Sequence, residues 1–97
     1  MKRYSIITNL GYGHLLMTSP ALFTDYKQAL HAFRKSVIMQ INKLNNTHLT
    51  LDDYLNAPQP FEYFIYEHSI DHIGIYTYSN NTTKLIRDIS IKTITIR

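Results

Sequence analysis

The chain has 97 residues, 44% of them hydrophobic and 18% charged, with no cysteine and a formal net charge of +3. That length supports one domain with a single core, and the composition excludes a disordered chain, a disulfide framework and thiolate chemistry. No apolar run approaches the ~20 residues of a membrane-spanning helix, and the positive charge is modest beside the dense Lys/Arg patches of proteins that grip phosphate backbones.

Lys2 to Asn9 reads as a β-strand. Thr8-Asn9 interrupts any signal-peptide core and no small-residue cleavage pattern follows, so a cytoplasmic protein is expected, with no membrane partner. Leu10-Gly11-Tyr12-Gly13 is a turn; it is too short for a phosphate loop and lacks the lysine and hydroxyl of one. His14 to Thr18 reads as a short return strand. A long helix then runs over about 24–45, with Thr24 as N-cap, Asp25 as a first-turn acid and Asn45-Asn46 as its end. Tyr26, Leu30, Phe33, Val37, Ile41 and Leu44 fall on one apolar stripe. Thr50-Leu51-Asp52-Asp53 is a capped start to a short helix over about 51–56, stopped by Ala57-Pro58-Gln59-Pro60.

Residues 61 to 78, FEYFIYEHSIDHIGIYTY, form two strands of a hairpin. With Ser69-Ile70-Asp71 as a three-residue loop and Asp71 left-handed, one face carries Phe61, Tyr63, Ile65, Ile73 and Ile75 and reads as core. The other carries Phe64, Tyr66, His68, His72, Tyr76 and Tyr78, with Gly74 opposite Tyr66, an unusually aromatic row for a solvated sheet. A shift of one residue would instead bury Phe64, Tyr66, Ile73 and Ile75 and expose Tyr63, His72 and Tyr76 with Glu67. After a turn at Asn80-Asn81, the apolar residues from Lys84 onward give one long strand or two short ones, with a bulge near Lys92-Thr93. The order β(β)ααβββ implies an α+β domain over 1–97: a mostly antiparallel sheet of four to five strands, the long helix on one face and the other face open.

Glu67 to His72 is the one cluster of metal-competent side chains. Across the hairpin, His68 and His72 would have Cβ atoms ~5 Å apart and could share a zinc or nickel ion with Asp71 or Glu67. Polar residues also gather at hairpin tips simply because tips are solvated, so no metal or other cofactor is expected. His14, His31 and His48 are scattered, and Asp52-Asp53 are accounted for by capping.

Three function classes follow. The first is a small non-enzymatic module that binds a protein or nucleoprotein target through Phe64, Tyr66, Tyr76 and Tyr78, with Lys27, Arg34 and Lys35 of the helix as a second patch. The same open face could pair two copies of the chain. Thirteen isoleucines and seven asparagines against a single valine point to an AT-rich genome, such as that of a low-GC bacterium or its phages. Chains of this size and style resemble the inhibitors of host defence that phages and mobile elements carry, of the anti-CRISPR kind. The second class is a nucleic-acid binder that stacks bases on the tyrosines and meets phosphate with Lys27, Arg34, Lys35, Lys84, Arg87 and Lys92. The third is an enzyme: the element order resembles the ribosome-dependent ribonuclease toxins of bacteria, which implies acid, base and phosphate-stabilising roles for His68, His72, Tyr76 and Arg87. The resemblance covers topology alone; the Arg-rich strands of that family are missing.

Overall fold

The computed structural model describes residues 1–10, 16–18, 22–56 and 61–95. The elements run β1 (Lys2–Leu10), β2 (Leu16–Thr18), α1 (Tyr26–Asn45), α2 (Leu51–Asn56), β3 (Tyr63–Ser69), β4 (His72–Ser79) and β5 (Thr82–Thr95). All seven sit in one α+β domain whose five-stranded sheet has the order β2-β1-β5-β4-β3, every pair antiparallel. The Gly11-Tyr12-Gly13 turn and the Ala57 to Pro60 stop lie outside the described residues. No helix among the described residues is long and apolar enough to cross a membrane.

α1 forms because its apolar residues recur at helical spacing, and Phe33, Val37 and Ile41 are fully buried against Ile6, Ile73, Ile75 and Ile89 of the sheet. Its N-cap is Asp25, not Thr24: the Asp25 carboxylate accepts the Lys27 N–H at 3.1 Å. The start is delayed because Phe23 still exchanges two backbone hydrogen bonds with Tyr4, which keeps the chain extended at the sheet edge through Phe23. Asn46 closes the helix in the left-handed conformation, φ 55°, which asparagine tolerates.

The connection to α2 is organised by Asn42, whose side chain accepts from Leu49 N, the Thr47 hydroxyl and the Tyr54 hydroxyl while donating to Leu49 O. α2 has the expected capping box: Thr50 N–H donates to Asp53 at 2.9 Å and Asp53 N–H to the Thr50 hydroxyl at 3.2 Å. Those bonds, backbone first, hold the Asp53 carboxyl below its ordinary range. Asn45 then pairs with the backbone of Tyr63 in both directions, which ties the end of α1 to the edge strand β3.

The hairpin register is the first of the two alternatives, with Tyr66 opposite Gly74 and Ile65 opposite Ile75. Its loop differs from the expected three residues. The turn is Ile70-Asp71, the extra residue is a bulge at His68, and Asp71 is not left-handed. Ser69 donates to the Asp71 carboxylate, and the Asp71 carbonyl accepts Ile91 N–H, so the tip is fastened to β5. The Asn80-Asn81 turn is as expected, both residues left-handed, φ 52° and 65°, in a two-residue connection.

β5 is one strand. Its pairing with β1 runs without interruption from Lys2 opposite Thr95 to Leu10 opposite Arg87, so there is no bulge near Lys92-Thr93. The apolar parity changes there only because Ile94 lies on the other face, 37% exposed. The bulge on β5 is at Ile86, where Ile75 pairs with Arg87 but Tyr76 already pairs with Leu85.

Candidate functional site on the open sheet face

Alternation along β3, β4 and β5 puts Ile65, Ile73, Ile75 and Ile89 under α1 and turns Phe64, Tyr66, His68, His72, Tyr76, Tyr78 and Asp88 to the opposite face. Tyr66 and Tyr78 are 60% and 69% exposed, while Phe64 and Tyr76 are half-buried between them. Phe64 stacks on Tyr78 at 4.8 Å and on Tyr76 at 6.0 Å between centroids. Phe64, Tyr66, His68, Tyr76 and Thr83 line a shallow groove of about 270 Å³.

Gly74 is what lets this row lie flat. A Cβ at that position would sit 2.6 Å from Tyr76 Cε2, so the Tyr76 ring occupies the space that any other residue's side chain would take. The ring reaches across to place its hydroxyl 2.8 Å from His68 Nε2. Partial burial, then the Asp88 carboxylate, then Tyr66 raise the Tyr76 phenol above its ordinary value.

At the hairpin tip, the His68 and His72 rings stack at 4.6 Å, and His72 Nε2 donates to Asp88 Oδ1 at 2.5 Å. Asp88 reaches the cluster because it pairs with Gly74, two residues along from the Ser90 partner of His72 on the same face. Asp71, the acid adjacent in sequence, is occupied elsewhere: its carboxylate accepts from the Tyr26 hydroxyl at 2.9 Å and from Ser69. Asp88 was not singled out from the sequence, since its part depends on the β4–β5 register. The available signal was a lone acid in the run from Leu85 to Ile91.

The other residues singled out fall apart from this row. Lys27 and Lys35 are exposed and Arg34 half-buried on α1, in the layer across the sheet from the tyrosines, so the two patches do not form one surface. Lys84 and Arg87 pair with Thr77 and Ile75 and share the helix-side face; the Arg87 Nε is buried without a hydrogen-bond partner. Of the four residues suggested by the toxin resemblance, His68, His72 and Tyr76 come together, whereas Arg87 points away and a carboxylate, Asp88, stands among them. Lys92 is on the open face, but four residues beyond Asp88 along β5, a separation of roughly 13 Å. Compared with protein families, with curated proteins and with solved structures, the chain matches none.

Proposed function

We propose that this protein is a non-enzymatic binding module that docks on a protein target through the aromatic row of β3 and β4. The observation that carries this reading is the pair of exposed rings, Tyr66 and Tyr78, set beside rings already stacked on one another. Tyrosine offers large contact area with little rotamer entropy to lose, and pre-stacked neighbours reduce that loss further. Residues of this kind dominate binding energy at interfaces.

Charge separates this from nucleic-acid binding. Bases stacked on Tyr66 and Tyr76 need cations nearby to meet their phosphates, but the charge that acts on Tyr76 is the Asp88 carboxylate, and the cations of α1 lie on the far side of the sheet. The specific form of the proposal is an inhibitor of a host-defence nucleoprotein, of the anti-CRISPR kind, that acts by occupying a site on its target. Its support is the isoleucine- and asparagine-rich, valine-poor composition, which fits a phage or mobile element of a low-GC bacterium.

The test is a tagged pull-down from nuclease-treated lysate of a low-GC host, with the wild-type chain and a Tyr66→Ala/Tyr78→Ala variant side by side. A protein captured by the wild type after nuclease treatment should be lost by the variant, and with purified partner each single substitution should weaken binding by about 2 kcal/mol, with little dependence on salt. Recovery that disappears with the nucleic acid would replace this proposal with nucleic-acid binding. Capture unchanged in a folded double variant would remove the aromatic row from the interface.

A further inference from the structure

The geometry points to a binding site for one divalent transition-metal ion of the zinc or nickel class, formed by His68, His72 and Asp88. The site stands independently of the docking proposal. One donor atom from each of the three residues lies within 4.8 Å of the other two. In a tetrahedral site with bonds of ~2.0–2.1 Å, donors lie roughly 3.3 Å apart, so the widest pair must close by about 1.5 Å. His68 can supply that movement. It is exposed and occupies the bulged position of β3, and the rings it touches, Tyr66, His72 and Tyr76, are themselves exposed or half-buried.

The other two ligands must part slightly: His72 Nε2 and Asp88 Oδ1 are 2.5 Å apart, about 0.8 Å closer than two donors on one tetrahedral ion, so the ion takes the place of the proton between them. His72 and Asp88 are both half-buried and already in direct contact across the β4–β5 pair. They are held by two strands of the sheet and not by a loop, and the His68 ring is stacked on His72. With His68 bound through Nδ1, its Nε2–H would donate to the Tyr76 hydroxyl, the outer hydrogen bond that orients a ligand ring. Two imidazoles and one carboxylate suit a borderline ion; magnesium and calcium prefer all-oxygen sets, and copper(I) prefers sulfur. Three protein ligands leave a tetrahedral ion one position for water or an outside donor. Because His68 also lines the aromatic groove, an ion here would fix one wall of it.

The experiment is calorimetric titration of the tag-free chain with Zn²⁺ alone, repeated with Ni²⁺. One equivalent should bind saturably. His68→Ala and Asp88→Asn should each weaken binding at least tenfold with an unchanged circular dichroism spectrum, while His48→Ala, in the α1–α2 connection, should leave it unaltered. Imidazole resonances of two histidines should shift with the first equivalent, and the same resonances should be missing or displaced in His68→Ala and His72→Ala. Absence of saturable binding would overturn the site. So would full affinity in a folded His68→Ala/Asp88→Asn double variant, or loss of binding in His48→Ala.

Discussion

The two faces of the β3–β4 hairpin are built from alternate residues of the same two strands, and their chemistry differs in one respect. Beneath α1, Ile73 and Ile75 are completely buried and have no polar atom to satisfy. On the other side, Tyr66, Tyr76, Tyr78, His68 and His72 are apolar in the ring and polar at the tip, and the tips either pair with one another or meet solvent. Aromatic content therefore does not by itself mark a core. The isoleucines need no partner and lie under the helix, together with the partly buried rings of Phe61 and Tyr63, whereas the imidazoles and the phenols of Tyr66, Tyr76 and Tyr78 keep their polar tips on the open face.

Removing one side chain from each face should separate them most sharply. Ile75→Ala leaves a cavity among Phe33, Val37 and Ile89 and should cost about 2–5 kcal/mol of stability, a large share of the total for a domain this size. Tyr66→Ala on the exposed row should change stability by no more than about 0.5 kcal/mol. Urea denaturation of both variants measures the difference, and equal losses would mean that the tyrosine row is as structural as the isoleucine row.

Gly74→Ala probes the boundary between the two. It is a buried position on the open face, and its new methyl would meet the Tyr76 ring at 2.6 Å, so the ring must lift. The expected cost is about 1–3 kcal/mol, accompanied by a changed near-ultraviolet tyrosine signal as the Tyr76 contact with His68 is lost. A stability within error of wild type and an unaltered tyrosine signal would show that Tyr76 does not lie over Gly74 in solution.

Much of this division was legible in the sequence because it follows short periods. The helix stripe from Tyr26 to Leu44, the alternation that opposes Tyr66 to Gly74, the Thr50/Asp53 box and the Asn80-Asn81 turn are all local patterns, and all four are found in the structure. What escaped was set by contacts distant in the chain. Asp25 replaces Thr24 as the cap because Phe23 pairs with Tyr4, and the bulges at His68 and Ile86 depend on how β4 aligns with two neighbours at once. Asp88 joins the histidines only through that same alignment, so the sequence offered Asp71 in its place.

A narrower effect concerns Asp71 itself, which joins the hairpin tip to the helix side of the sheet. The Tyr26 hydroxyl donates to its carboxylate, with the Tyr26 ring edge-on to Tyr4 at 5.4 Å. Partial burial, then the hydrogen bond and negative charge of Asp71, then Tyr4, raise the Tyr26 phenol above its ordinary value of 10.0. The folded chain thus holds this proton to higher pH than the unfolded chain does. The contribution of the contact is fully present below pH 10.0 and is lost as pH rises through the folded value. Tyr26→Phe should lower stability by about 1 kcal/mol at neutral pH, the usual net worth of one hydrogen bond, and the gap between wild type and variant should narrow in alkaline solution. Melting temperatures of the two proteins across that range measure the gap. No gap at neutral pH would mean that Tyr26 contributes by packing on Tyr4 alone; the tip would then be held to the sheet only through the Asp71 carbonyl on Ile91, and His72, one residue on, would owe its position to Asp88 and not to the helix.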